Sequence, residues 1–369
     1  MSRFARNRRV FYLEEPIFEA GNSYIKLRTC PNTGVHVLTP VIGAGSTADQ
    51  AGLVTGMVRA FLDDHAVLDC ISWYYTPMAI GLHSVLPSQV TVYDCMDELS
   101  AFSGAAPAMR RNEELLFERA DLVFTGGASL FESKRNQHGS VYLFPSSVDI
   151  QHFYRARSIR EEPADQEAIG HPRLGYAGVV DERMDLGLIQ RMSSSHPDWQ
   201  LVLIGPVVKI DPELLPKASN IHYLGMKQYA ELPAYLAGWD IALLPFALNE
   251  STRFISPTKT PEYLAAGLPV VSTAIRDVVK PYGELGFVRI GHDADEFIGA
   301  VESQLASPMS DEVKGKIDEF LSRSSWDKTW SEMEMLINSK MLNKNPGSSS
   351  DGRKSTTTFE TVTERVSHV

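Results

Sequence analysis

The chain has 369 residues, 43% of them hydrophobic and 22% charged, enough apolar sequence for two domain-sized cores. Its 35 Lys and Arg against 46 Asp and Glu leave a formal net charge of −11, which argues against a surface built to coat nucleic acid. Three cysteines (Cys30, Cys70, Cys95) cannot form a disulfide framework and lack zinc spacing, and no apolar run is long enough to span a bilayer. A reducing, cytoplasmic setting is the expectation.

The chain opens on Arg3, Arg6, Arg8 and Arg9 around Phe4, which read as the end of an amphipathic helix feeding a strand at Val10–Leu13. Glu14 and Glu15 cut the apolar stretch too early for a signal peptide. An α/β chain that opens on a helix end lacks its first strand, so a misassigned start codon or a truncation is expected. The basic, partly apolar edge also suits peripheral contact with the inner face of a membrane. Further strands are predicted at Val35–Leu38, Ala66–Ser72, Val90–Tyr93, Leu122–Thr125 and Val141–Phe144. The Gly-rich run Gly43–Thr47 has no following Lys and is no Walker motif.

Residues Arg155–Pro172 are rich in charge and read as a linker between an N-terminal domain (1–154) and a C-terminal one (173–342). The second half repeats the alternation of short apolar runs and helical stretches. Strands are predicted at Arg173–Tyr176, Gln200–Ile204, Ile221–Tyr223, Ile241–Pro245 and Val270–Ser272, with helices near 186–192, 232–237 and 261–266. Helices are expected at 294–305, 311–321 and 326–337, the last with Trp326, Trp330, Met333 and Leu336 at helical spacing. From Asn343 the composition predicts a disordered tail, 343–369. The fold class is α/β: two Rossmann-like, doubly wound parallel-sheet domains facing a cleft.

The most informative stretch is Ser256-Pro257-Thr258-Lys259-Thr260-Pro261-Glu262-Tyr263-Leu264-Ala265-Ala266-Gly267-Leu268-Pro269-Val270-Val271-Ser272-Thr273. Ser256 is a good N-cap and Pro257 a good first helical residue, so helix N–H groups would face an anion. Lys259 can add a point charge on a phosphate, and Glu262, three residues on, can accept two hydrogen bonds from vicinal ribose hydroxyls. A surface Lys–Glu pair on an ordinary capped helix is the bland alternative.

This run, with Asp240–Phe246 before it, resembles the donor-binding signature of GT-B glycosyltransferases of the group 1 type, and the resemblance covers nearly the whole chain. It implies that Lys259 and nearby N–H groups hold a nucleotide diphosphate and Glu262 the ribose. One departure stands out: where relatives place a first glutamate, eight residues before the second, this chain has Phe254. The resemblance also implies that Tyr223–Met226 lies beside the base, with Met226 against it.

The turn Gly175–Arg183 would let backbone at Gly178 approach a phosphate, with Arg183 as charge partner. Asn249 and Thr252, in the loop after 241–245, are candidate polar donor contacts. In the first half, the strand at 90–93 ends in Asp94-Cys95-Met96-Asp97-Glu98-Leu99-Ser100, placing carboxylates where doubly wound sheets bind ligands. Asp97 is the first candidate for the base that takes the acceptor proton and Asp94 the second. The segment resembles the acidic acceptor-side loop of xanthan-type glucuronosyltransferases. Trp73–Met78 could stack on a sugar or form aromatic core, and Asp121–Ser129 reads as an interdomain wall.

The function these features imply is transfer of a hexose from a nucleotide-sugar donor, a UDP-sugar, to a saccharide or lipid-linked acceptor in surface polysaccharide synthesis, independent of metal and cofactor. The alternatives are a degenerate or truncated non-catalytic GT-B protein and a GT-B UDP-sugar epimerase. An NAD-dependent dehydrogenase lacks its Gly-x-Gly-x-x-Gly fingerprint here.

Overall fold

A computed structural model describes residues 1–44 and 49–344. Most of the Gly-rich run (Gly45–Thr47) and tail residues 345–369 lie outside the described residues. The chain is α/β with mostly parallel sheets, but its two halves are built differently.

In the N-terminal half, strand β4 (His36–Gly43) is paired by β1 (Phe11–Leu13) and then β2 (Ile17–Glu19), both parallel on one edge, and by antiparallel β3 (Tyr24–Thr29) on the other. Neither β2 nor β3 was expected: β2 is three exposed residues, and β3 interleaves Lys26 and Arg28 with its apolar positions. A second sheet runs β5 (Cys70–Tyr74), β6 (Ser88–Cys95), β7 (Leu122–Thr125) and β8 (Val141–Leu143), all parallel. One face carries Val90, Val92, Leu122 and Phe124; the other carries Tyr93, Cys95 and Val123 against Leu116 and Phe117.

The C-terminal half is one six-stranded parallel sheet: β9 (Arg173–Ala177), β10 (Gln200–Ile204), β11 (Ile221–Gly225), β12 (Ile241–Leu244), β13 (Val270–Thr273) and β14 (Val288–Gly291). Its order, β11-β10-β9-β12-β13-β14, reverses between β9 and β12 and is doubly wound. Helices 186–195, 232–237, 259–265 and 294–306 bury their apolar stripes on it. Gly175 in β9 gives the Trp239 ring its place; a Cβ there would come within 1.9 Å of Cδ2.

Two boundaries differ from expectation. Arg155–Pro172 is not a solvated linker: Ala156, Gln166 and Ile169 are buried on the C-terminal half, where Gln166 accepts from Trp239 Nε1 at 2.9 Å and donates to the Tyr235 carbonyl at 3.0 Å. The final helix, Trp326–Lys344, leaves the C-terminal half and lies on the first, because Ile337, Trp330, Met333 and Leu336 match the apolar face of β6 and β7. Its last residues, Asn343 and Lys344, fall in the span expected to be disordered; Lys344 Nζ donates to Asp121 at 2.7 Å. The same helix takes up the N-terminal edge expected to touch a membrane. Phe4 is buried between Trp73 and Trp330, while Arg3 and Arg6 pair with Asp327.

Candidate active site

The site lies at the carboxyl ends of β9 and β12, where a doubly wound sheet opens a crevice. After β9, the Gly178 N–H donates to the Ile204 carbonyl at 2.7 Å, and the Gly205 N–H donates to the Gly225 carbonyl at 2.9 Å. Gly205 sits at φ +142°, and a Cβ there would come within 1.9 Å of the Gly178 oxygen, so side chains are excluded at this close approach. Lys259, at the start of helix Lys259–Ala265, lays its side chain across Gly178; a Cβ on Gly178 would lie 2.0 Å from Lys259 Cε and 2.7 Å from Nζ. The helix is held there by Tyr263, whose hydroxyl accepts from the Ala177 N–H at 2.8 Å.

Lys259 makes no ion pair among the described residues; its ammonium stands 5.7 Å from the Tyr176 ring centroid. Burial pushes its pKa down, opposed by the nearby Glu262 charge. Burial likewise pushes the Glu262 carboxyl up to about 7, with Lys259 opposing. The pair is half-enclosed without mutual neutralisation, an arrangement suited to a ligand carrying both anionic and hydroxyl groups.

The other expected donor residues fare differently. Ser256 is not the N-cap: Thr258 already has helical backbone angles, the Thr260 N–H bonds the Pro257 carbonyl at 3.1 Å, and Ser256 packs against Gly127 of the other half. Asn249 and Thr252 cap each other, the Asn249 N–H donating to Thr252 Oγ1 at 3.0 Å and the Thr252 N–H to Asn249 Oδ1 at 3.2 Å. Thr252 is buried and its hydroxyl is given to the Ala247 carbonyl, so it shapes the loop, while Asn249 stays exposed. Met226, after Gly225 at φ +67°, stands 71% exposed on the rim. Arg183 is not a free cation; it grips Asp181 with both Nε and a terminal nitrogen at 2.7–3.1 Å.

That Arg183–Asp181 fork has a role the sequence did not show: it faces the N-terminal half. Phe102 packs 5.7 Å from the guanidinium, and the Ser103 N–H donates to Glu182 at 3.2 Å. Asp97 lies on this side of the cleft, half-buried, its pKa raised by burial and drawn back by Arg183. Asp94 is turned away: 5% exposed, it accepts from Trp73 Nε1 at 3.0 Å, keeps Oδ1 without a partner and is pushed by burial up to about 7. Trp73 is core, packed on Phe4 and Phe124. A second seam joins Gly127–Ser129 to Asp277, whose Oδ1 accepts the Ser129 N–H at 3.0 Å. Phe254, at the position where a glutamate was sought, packs on the N-terminal core around Tyr93 and Leu116. Only their partners across the fold give Phe102, Asp277 and Phe254 their meaning.

Comparison with known proteins now bears on this geometry. The family described as Glycosyl transferases group 1 matches residues 171–307, which contain the six-stranded sheet, Gly178, Lys259 and Glu262. Sucrose-phosphate synthase from Thermosynechococcus elongatus superposes with a TM-score of 0.69 at 14% identity, over 93% of this chain and 91% of that one. The fold is GT-B, and its second half is a group 1 glycosyltransferase domain. The GT-B chain is also similar to Anabaena HepE solved with UDP and glucose (TM-score 0.60, 13% identity, 84% of this chain and 87% of that one). In sequence it is 26% identical over 255 residues to TuaH of Bacillus subtilis (strain 168), a protein assigned as a teichuronic acid biosynthesis glycosyltransferase. The match takes in 64% of this chain and 64% of the length of that relative. Among the described residues, no helix of the GT-B chain is long and apolar enough to cross a membrane.

Proposed function

We propose that the protein is a glycosyltransferase that moves a hexose from a UDP-sugar to a saccharide or lipid-linked acceptor in surface polysaccharide synthesis. The observation that carries this reading is the unpaired Lys259 ammonium laid across Gly178 at the sheet's switch point, with Glu262 one turn on. Lys259 meets the diphosphate, and the Glu262 carboxylate accepts from the ribose hydroxyls. The acceptor oxygen forms the new bond to the anomeric carbon while the sugar–diphosphate C–O bond breaks. The electron pair leaves on the diphosphate, where Lys259 offsets the charge, and the acceptor proton passes to Asp97. Since Lys259 supplies the cation, the reading requires no metal. UDP beside glucose in HepE and the naming of TuaH for polysaccharide synthesis support this choice of donor and pathway class. A lipid-linked acceptor would bring the enzyme to the inner membrane face.

Calorimetric titration of the intact chain with UDP tests the reading. One site is expected, weakened roughly tenfold or more by Glu262→Ala, the loss of a hydrogen bond to a charged group. No UDP binding by the wild-type chain would overturn it. Incubation with UDP-sugar alone separates transfer from epimerisation, since an epimerase turns over without acceptor.

A further inference from the structure

The turn around Gly178 is tied down by two tyrosines from different elements. Tyr263, in helix Lys259–Ala265, accepts the Ala177 N–H at the start of the turn, and Tyr176, in β9, donates its hydroxyl to the Val179 carbonyl at 2.9 Å. The Gly178 and Val180 N–H groups are spent on the Ile204 and Pro206 carbonyls, which leaves the Val179 N–H between them without a partner among the described residues. Tyr176 is 2% exposed and meets Phe246 edge to face, 6.2 Å between ring centroids. Two of its contacts go beyond packing. A Cβ on Gly178 would come within 2.8 Å of its hydroxyl as well as 2.0 Å of Lys259 Cε, so the phenol and the lysine close on the same glycine. Lys259 Nζ also lies over the Tyr176 ring. A buried ammonium needs compensation for lost water; a carboxylate would supply it by neutralising the charge, whereas an aromatic face attracts the cation and leaves it charged. A phenylalanine would fill the same core volume and hold the same cation, so packing does not account for the hydroxyl.

We propose that Tyr176 is a positioning residue for the donor diphosphate: its ring carries the Lys259 ammonium and its hydroxyl fixes Val179, so that the cation and the open N–H of the turn meet the phosphates as one preformed unit. The assignment rests on the reading of Lys259 as the diphosphate ligand. What Tyr176 contributes is order supplied in advance. A long lysine side chain and a glycine-containing turn both have wide conformational freedom, and gripping an anion costs that freedom unless the fold has already removed it. Tyr263 fastens the helix that bears Lys259 to the same turn, so strand, turn and helix hold one geometry.

Calorimetric titration of the intact chain with UDP, beside thermal unfolding, tests the assignment. Tyr176→Phe keeps the ring and loses the hydroxyl, and its UDP affinity is expected to fall about fivefold. Tyr176→Leu loses both, and a further fall of about fivefold is expected. A double-mutant cycle separates positioning from general damage. The additional loss in Tyr176→Leu over Tyr176→Phe should vanish in a Lys259→Ala background, where no ammonium is left to carry, and persist in a Glu262→Gln background. If Tyr176→Leu does not fold, Tyr176→Phe decides: its loss should appear with UDP and be absent with uridine, followed by ligand-observed NMR, because uridine has no phosphate to place. The assignment alone is overturned if Tyr176→Phe binds UDP as wild type does, if uridine affinity falls in step with UDP affinity, or if the additional loss in Tyr176→Leu survives in Lys259→Ala. Absence of UDP binding by the wild-type chain would overturn the donor reading and the assignment with it.

Discussion

The two halves answer the same structural demand with different completeness. In the C-terminal half, six parallel strands form one ladder, and its central members β9 and β12 are covered on both faces. In the N-terminal half, two four-stranded sheets face each other across a cavity, and the final helix returns from the far end of the chain to cover part of the exposed face. The C-terminal side can therefore be read as finished, with Lys259 and Glu262 positioned by a rigid sheet. The N-terminal side meets it across the cleft through Phe102 and Ser103 on Arg183 and Glu182, and through Ser129 on Asp277.

The largest effect should come from removing the cation laid across Gly178 in the C-terminal half. Lys259→Ala is expected to weaken UDP binding by about 100-fold, from the loss of charge-assisted hydrogen bonds to the diphosphate, while the thermal midpoint stays within a few degrees of wild type. Calorimetry beside thermal unfolding checks both. A large fall in stability with little loss of affinity would make Lys259 a structural residue and remove the asymmetry in function. Packing offers the next contrast. Gly175→Ala would drive a Cβ into the Trp239 ring and should cost about 1–3 kcal/mol by overpacking. Ala79→Leu, on the wall of the N-terminal cavity, should cost under about 1 kcal/mol because the added methylenes enter free space. Equal costs in denaturant unfolding would show that the cavity is closed in solution.

How far the sequence could be read follows the same divide. In the C-terminal half, β10, β12 and β13 are near-continuous apolar runs, and Gly175, Gly178, Lys259 and Glu262 follow local spacing rules that survive folding. In the N-terminal half, β2 and β3 expose most of their residues and carry no burial pattern to detect. Most misplaced expectations needed a partner distant in sequence; Arg183 differs, because Asp181, which holds it, stands only two residues before it. Arg183 reads as a phosphate ligand until Asp181 is seen to occupy it, Ser256 reads as a cap until Gly127 lies against it, and Trp326–Lys344 reads as part of the half it follows. The four arginines beside Phe4 read as a membrane edge because the partners of three of them, Asp327 for Arg3 and Arg6 and Asn338 for Arg8, lie more than three hundred residues away, while Arg9 donates to the His65 carbonyl.

The buried acids give each half its own pH signature. Asp94 and Glu262 both have folded-state pKa values raised to about 7, so each contributes stability below its unfolded value near 4, and that contribution is lost as pH rises through about 7. Asp94→Asn and Glu262→Gln should therefore each raise the thermal midpoint at pH 8 relative to wild type, with the difference vanishing near pH 4. Function separates them. UDP affinity should fall between pH 8 and pH 6 as the Glu262 carboxylate takes up a proton, and Glu262→Gln should flatten that dependence while Asp94→Asn leaves it intact. Titrations at several pH values check this; a profile flattened by Asp94→Asn would place the ligand in the N-terminal half.

The smallest effect concerns the seam through which the N-terminal half leans on the C-terminal one. Asp277 Oδ1 accepts the Ser129 N–H near the start of helix Ala128–Lys134, a cap supplied from the opposite half. Asp277→Ala should cost about 1 kcal/mol, the usual worth of a side-chain cap. The neighbouring Arg276–Glu132 pair is exposed on both sides, and Arg276→Ala should cost no more than about 0.5 kcal/mol. The comparison turns on where the loss registers. If the halves stand independently, Asp277→Ala changes hydrogen exchange only in 128–134. If the N-terminal half depends on the contact, exchange quickens through β6 and β7 as well, while β9 and β12 remain unchanged.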